Sequence, residues 1–424
     1  MIIRKVDLND FFFCVFLALS GLGNYYNELY QIANVIVLSD IGLALFLCSL
    51  LITSCINLQR KHGYLIICFI SLLIIGLLGN HMIGDILRDI KVFLYFFVAY
   101  LYCYSRKDDY LYVSRLSKTM LTMVVFTIIV CTTDFLEYGL SGLSSKQILR
   151  TFGLGLSQYG LAVSFVILLS IGSRLREKIG KITYYALLVM CLTLSITSYT
   201  RSVWLLLILS LALYYLINII SGVYKDFFSA NQIIRIVIYG TAICMAFMMI
   251  YRYIEQNYSD IVSLFIGRMQ SISSFGSGEI INGNADTLTG RLDGLKDYIP
   301  KYTNPLIIIG WGFGDRGKNS VSTITENSFL YYSWKYGIIW SVVLLYRLYD
   351  KFKTIFRRKN KINNAVISSL IAYIIMGGMS GHLNKYYMLP YIAIFLLIDF
   401  DRLFVADNVE EYHEKIAVIQ DKGD

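Results

Sequence analysis

The chain has 424 residues, of which 56% are hydrophobic and only 16% are charged, and its formal net charge is +9. A soluble domain carries about 25% charged residues, and a disordered chain combines low hydrophobicity with high net charge, so both classes are excluded. The basic residues lie in short clusters between long apolar runs, which is typical of membrane proteins and not of nucleic-acid-binding surfaces. The composition therefore predicts an all-α integral membrane protein with no nucleic-acid partner.

Apolar runs long enough to cross a bilayer as helices recur along the sequence. A crossing needs about 20 apolar residues, and by this measure we expect about 12 transmembrane helices. They lie near residues 8–22, 32–57, 63–80, 86–105, 117–136, 157–173, 182–200, 202–221, 235–254, 327–349, 364–381 and 388–404. With the N-terminus in the cytoplasm and alternating crossings, most of the 38 Lys and Arg residues lie on the cytoplasmic side. The positive-inside rule therefore predicts that both termini are cytoplasmic.

One polar stretch, residues 255–326, is much longer than the other connections, and its position in the topology is outside the cytoplasm. A loop of this length in a compact protein is functional or disordered. Apolar residues spaced three or four apart between positions 288 and 299 predict an amphipathic helix within it, which favours order. The predicted organisation is a bundle of about nine helices at 1–254, the extracytoplasmic loop at 255–326, about three helices at 327–404 and a cytoplasmic tail at 405–424.

The loop ends in a glycine-rich sequence, GWGFGDRG, in which Gly312, Gly314 and Gly317 fit the pattern GxGxxG. A dinucleotide site needs a helix directly after such glycines. The sequence that follows, KNSVSTITENS, does not predict a helix, and the loop lies away from cytoplasmic cofactors. We therefore expect these glycines to form a tight turn that lets the backbone approach a ligand or another loop.

Basic residues also accumulate on the outer side, where the positive-inside rule disfavours them. They comprise Arg88 and Lys91 near the outer end of the fourth span, Arg150 and Arg201 beside later spans, and Arg268, Arg291 and Arg316 in the long loop. A guanidinium binds phosphate through two hydrogen bonds, so the cluster predicts an anionic ligand such as the pyrophosphate of a lipid carrier. The alternatives are snorkelling to lipid headgroups, ion pairs with nearby acids, and solvation.

Glu326 opens the tenth predicted span, and two hypotheses apply to it. Thr323 and Glu326 fit a capping box, in which the carboxylate only closes the helix N-terminus. Alternatively, Glu326 is a general base that activates a hydroxyl at the membrane surface. His382 is the other outward candidate near a span end, with solvation as its alternative. No Cys, His or Asp cluster has metal-ligand spacing, so we expect neither a metal nor a cofactor.

The order of several segments resembles the Wzy-type O-antigen and capsule polymerases, which share a superfamily with the O-antigen ligases. The matching segments are RTFGLGLSQYGLA, TSYTRSVWLLL, TGRLDGLKDY in the late loop, NPLIIIGWGFG and ENSFLYYSWKYGI.

The resemblance implies a metal-independent glycosyltransferase in the bacterial inner membrane. It would move a growing glycan from undecaprenyl pyrophosphate onto the next lipid-linked repeat unit, and a chain-length regulator protein would be a further partner. Arg201 and Arg291 match motif arginines of the family, which implies that they stabilise the leaving group. The ligase relatives have His-Asn where this chain has Glu326 and Asn327, which disfavours a ligase that transfers glycan to lipid A core. A flippase or other transporter is the alternative from another class, and it predicts repeated halves or broken helices with intramembrane charge.

Overall fold

A computed structural model describes residues 5–29, 38–53, 62–109, 111–116, 118–126, 128–129, 158–197, 201–223, 305–314, 328–356, 360–377 and 389–398, together with single residues between 241 and 256. Within these ranges the protein is helical, and they contain no β-strand. The predicted all-α class is confirmed for this part of the chain.

Eleven of the described helices have defined bounds. They are α1 (Lys5–Leu29), α2 (Leu38–Thr53), α3 (Gly63–Leu78), α4 (Ile83–Arg106), α5 (Gln158–Ser170), α6 (Gly172–Ile179), α7 (Lys181–Thr197), α8 (Arg201–Ile220), α9 (Ser328–Phe356), α10 (Lys361–Gly377) and α11 (Leu389–Leu397). A 3₁₀ turn at Pro305–Ile308 precedes the glycine-rich sequence. Residues 111–116 and 118–126 are also helical.

Most helices coincide with the apolar runs that predicted them. Helix α6 was not predicted, because its sequence GSRLREKI is polar and sits in a basic connection. The amphipathic helix predicted between 288 and 299 lies outside the described residues. Among those residues, one helix, Val203–Ile220, is long and apolar enough to cross a membrane, and four further apolar helices are shorter. The count of about 12 crossings and the cytoplasmic termini therefore stay predictions.

The helices pack around one large core, with a second, smaller core beside it. Helix α1 packs along α2, α4 packs on α11, and α5 contacts α7, α8 and α10. Helix α10 is buried over most of its surface. The side-chain amide of Asn364 donates hydrogen bonds to Asn218 Oδ1 at 2.9 Å and to Ser221 Oγ at 3.1 Å, which joins α10 to α8. The smaller core comprises Cys68, Leu72, Ile86, Phe93, Phe313 and Tyr336.

A charged cluster fastens α1 to the C-terminal end of α4. The buried Asp10 accepts hydrogen bonds from Tyr102 Oη at 2.5 Å, Arg106 at 3.1 Å and Arg115 at 3.2 Å. Arg115 also pairs with Asp7 at 2.7 Å, and this hydrogen bond raises the pKa of Arg115. A buried carboxylate with three donors is electrostatically satisfied, so the cluster fixes the two helices against each other.

Candidate functional site

Residues 310–314, which follow the 3₁₀ turn in the late loop, are inserted between α3, α4 and α9. Each of their last four backbone N–H groups has an acceptor. Trp311 and Gly312 donate to the carbonyl oxygens of Trp334 and Lys335, both at 3.2 Å. Phe313 donates to the carbonyl of Leu72 at 3.0 Å, and Gly314 donates to Asp89 Oδ2 at 2.7 Å. We call residues 310–314 the anchor segment.

Glycine allows this insertion because backbone meets backbone without intervening side chains. Gly310, Gly312 and Gly314 all have positive φ, at 83°, 77° and 87°. A Cβ on Gly312 would lie 2.6 Å from the nitrogen of Gly76 and 2.7 Å from the oxygen of Leu72. L-residues with a Cβ rarely adopt this φ, and backbone atoms cannot move aside as a flexible side chain can. The sequence predicted that these glycines let the backbone approach a ligand or another loop. Gly312 and Gly314 do make a close approach, but to helices α3 and α4; Gly317 lies outside the described residues.

The same contact explains an interruption in α9. Gly337 has φ 75° and ψ 169°, which is not helical, so α9 consists of two helical halves joined at a kink. A break of this kind leaves carbonyl groups before it without aligned intrahelical donors. The N–H groups of Trp311 and Gly312 supply donors to two carbonyls just before the break. The anchor segment therefore caps the first half of α9 in place of the missing helical turn.

A buried ion pair lies under the anchor segment. The ammonium nitrogen of Lys335 is 2.5 Å from Asp89 Oδ1, and both residues are only 5% exposed. The second carboxylate oxygen of Asp89 accepts the hydrogen bond from Gly314. Both oxygens of Asp89 are thus engaged, one by a cation and one by a backbone N–H. Removing one partner of a buried pair costs about 3–5 kcal/mol, because a buried charge is left uncompensated.

Aromatic side chains cover both sides of the anchor segment. Phe313 is completely buried, and its ring packs against Phe69 and Phe93 at centroid distances of 5.7 and 6.1 Å. Trp311 stacks on Trp334 with centroids 3.7 Å apart and ring planes 8° from parallel. These contacts supply apolar burial beside the ion pair, so water is kept away from it and its attraction is strengthened.

The structure describes three of the residues predicted to bind the substrate or stabilise its leaving group. Arg88 is exposed on α4, and in the described part of the chain its side chain makes no hydrogen bond or ion pair. Lys91 is different, because its ammonium group pairs with Asp40 at 2.9 Å, and Asp40 also accepts a hydrogen bond from Tyr95. This pairing neutralises part of the positive charge expected on α4. Arg201 is the first residue of α8, and its side chain is outside the described part.

The remaining predicted site residues lie outside the described residues. They are Arg150, Arg268, Arg291, Arg316, Glu326, Asn327 and His382. Two of them border the described segments in sequence, since Arg316 follows Gly314 by two positions and Asn327 directly precedes Ser328. Within the described residues, no three His, Cys, Asp or Glu side chains form a group that would hold a metal ion.

Asp89 and Lys335 were not among the site residues predicted from the sequence. The available signal was the charge itself, because an acid in α4 and a lysine in the apolar run SFLYYSWKYGIIW are both costly in a buried helix and are expected to have partners. The pairing could not be derived, since the two residues are separated by most of the chain and share no local motif.

No protein-family model matches the chain. No curated protein and no solved structure matches it with statistical significance. A functional assignment therefore depends on the site and on the sequence resemblance described above.

Proposed function

We propose that this chain is a polysaccharide polymerase of the O-antigen type in the bacterial inner membrane. It transfers a growing glycan from undecaprenyl pyrophosphate onto a lipid-linked repeat unit at the outer face of that membrane. Membrane insertion is supported by large apolar side chains that are exposed on the described helices, including Leu51, Ile52, Leu78 and Ile182, each more than 70% exposed. Exposed apolar surface of this kind is typical of contact with a membrane or another protein.

The observation that carries the proposal is the docking of the late loop by the anchor segment. Gly314 is buried against α4, and Ser328 opens α9, so the intervening 315–327 stretch starts and ends at defined points. That stretch contains Arg316, Glu326 and Asn327. Irregular backbone at membrane depth is tolerated where it is buried in protein with its polar groups satisfied, and residues 311–314 meet this requirement through their four hydrogen bonds. A stretch that holds a base and a cation near one reacting centre works best when both of its ends are fixed, because this restricts the positions that the two groups can adopt.

In the proposed reaction, Glu326 removes the proton from the acceptor hydroxyl of the lipid-linked repeat unit. The acceptor oxygen then forms a bond to the anomeric carbon of the growing glycan, while the bond from that carbon to the pyrophosphate oxygen breaks. The electron pair leaves with the pyrophosphate, where Arg201 and Arg291 stabilise the charge. Preorganised cations directed at a leaving group perform this role without a metal. Arg88, Lys91, Arg150, Arg268, Arg316, Asn327 and His382 are the proposed substrate-binding residues.

A transporter is the second candidate, and one observation favours it. Discontinuous helices with buried charges are common at the substrate sites of secondary transporters. Helix α9 is broken at Gly337, and the Asp89–Lys335 pair lies beside the break. Two features favour the polymerase over this candidate: the break is filled by the anchor segment, and the sequence has no repeated halves.

The polysaccharide profile of a deletion strain distinguishes the candidates. If the chain is a polymerase, deletion removes the ladder of long glycans, while single repeat units still reach the lipid A core. If it is a ligase or a flippase, no repeat units reach the core. Restoring the ladder with the plasmid-borne wild-type gene is the control, and a deletion strain with an unchanged ladder contradicts all three functions.

A further inference from the structure

We propose that Asp89 is a positioning residue for the transfer reaction, acting through the anchor segment. This role rests on the proposed function, and Asp89 is the group that holds the site of that function together. Asp89 lies on α4, accepts the N–H of Gly314 and pairs with Lys335 on α9. One buried carboxylate therefore connects α4 with two segments that follow much later in the sequence.

Each of these three segments carries or leads to a proposed substrate-binding or catalytic residue. Arg88 is the neighbour of Asp89 on α4 and is exposed, whereas Asp89 is buried. Gly314 lies two positions before Arg316, and the first half of α9, which contains Lys335, begins directly after Glu326 and Asn327 in sequence. The contacts of Asp89 fix Gly314 and the first half of α9 relative to α4, and Arg316, Glu326 and Asn327 lie between these two fixed points in sequence.

The positioning role depends on an acceptor oxygen more than on charge. The hydrogen bond to Gly314 needs an oxygen at position 89. The negative charge is needed because Lys335 is buried next to it. If both charges are removed together, neither member of this pair is left buried without the other, and neutral replacements of a buried pair are often tolerated. The two requirements can therefore be separated by double substitution.

The test compares two double variants that differ only at position 89. Asp89→Asn with Lys335→Met removes both charges and keeps an oxygen that can accept from Gly314. Asp89→Leu with Lys335→Met also removes both charges, but leaves the Gly314 N–H without an acceptor. We measure kcat and KM for chain extension on purified protein, and amide hydrogen exchange across residues 310–314.

We expect the Asn/Met variant to extend chains within about 3-fold of the wild-type rate, since its backbone hydrogen bond is kept. We expect the Leu/Met variant to lose about 10- to 100-fold in kcat, with KM changed much less, because misplacement of reacting groups acts on the chemical step. Amide exchange at residues 310–314 should rise only in the Leu/Met variant. Equal activity and equal exchange in the two variants would overturn the proposal.

Two further outcomes are informative. If the Asn/Met variant is inactive while its amide exchange matches that of the wild type, the charge of Asp89 or of Lys335 takes part in function, and the positioning role is wrong. If the wild type does not extend chains, the polymerase proposal fails, whereas selective loss of amide protection in the Leu/Met variant still supports the anchoring role of Asp89. Failure of the inference and failure of the proposed function are thus separate results.

Discussion

Replacing Gly312 with alanine should prevent the anchor segment from docking on α3. The new Cβ would meet two backbone atoms, the nitrogen of Gly76 at 2.6 Å and the oxygen of Leu72 at 2.7 Å. Gly312 also has φ 77°, which a residue with a Cβ adopts only at a cost. Both effects act at the same position, so the segment must move away from α3.

The size of the effect follows from these two contributions. A left-handed backbone conformation costs an L-residue about 1–2 kcal/mol, and overpacking of a tight contact costs about 1–3 kcal/mol. Gly312→Ala should therefore destabilise the docked state by about 2–5 kcal/mol. Two other glycines provide graded controls. Gly180 has φ 82° but no atom within 4 Å of the place where a Cβ would lie, and Gly63 has neither a positive φ nor a close neighbour.

The assay is thermal unfolding of the purified variants in detergent, followed by gel filtration with tryptophan fluorescence. Gly63→Ala should melt at or slightly above the wild-type temperature, because alanine is the better helix former. Gly180→Ala should melt slightly lower, and Gly312→Ala should melt lowest. The explanation is refuted if Gly312→Ala melts at the same temperature as Gly180→Ala, because the close backbone contact would then contribute nothing.

Three further predictions concern charged residues. Asp10→Ala should destabilise the protein by about 1–3 kcal/mol, since it leaves the buried Tyr102 hydroxyl without its acceptor, while Arg106 and Arg115 keep ion pairs with Asp109 and Asp7. Loss of the more exposed Asp7 should cost under about 1 kcal/mol; melting temperatures compare them. Arg88→Ala and Lys91→Met should both lower the yield of polymer. Arg88→Ala should keep normal thermal stability, whereas Lys91→Met should also lower it, because the ion pair with Asp40 is lost; unchanged polymer from both variants would contradict their proposed role. Glu326→Gln should slow chain extension about 10²–10⁴-fold with little loss of stability. Near-normal extension by this variant would show that Glu326 is only a helix cap and not the general base.

The sequence predicted the helices well, because each apolar run is a local signal. Helices α3 and α8, for example, coincide closely with the runs at 63–80 and 202–221. The anchor segment was partly predictable, since clustered glycines indicate close backbone approach. The identity of the contacted segment was not, because nothing local to Gly312 specifies α3.

The ion pairs could not be predicted from the sequence. The ion pair of Lys91 was not predicted, because a cation near a helix end looks the same in sequence whether it faces a phosphate or an aspartate. Its contact with Asp40 joins residues on two different helices and depends on how α2 and α4 are packed. Asp89 and Lys335 illustrate the same limit over a much longer separation, since only the folded chain brings them within 2.5 Å.

The most direct measurement is chain extension by the purified protein in liposomes. The liposomes contain the undecaprenyl-pyrophosphate-linked repeat unit extracted from the deletion strain, with no nucleotide, no added metal and no ion gradient. A polymerase should produce a ladder of lipid-linked glycans and release undecaprenyl pyrophosphate, and EDTA should not change the rate. Movement of the lipid-linked repeat between leaflets without any increase in glycan length would contradict a polymerase and identify the protein as a transporter.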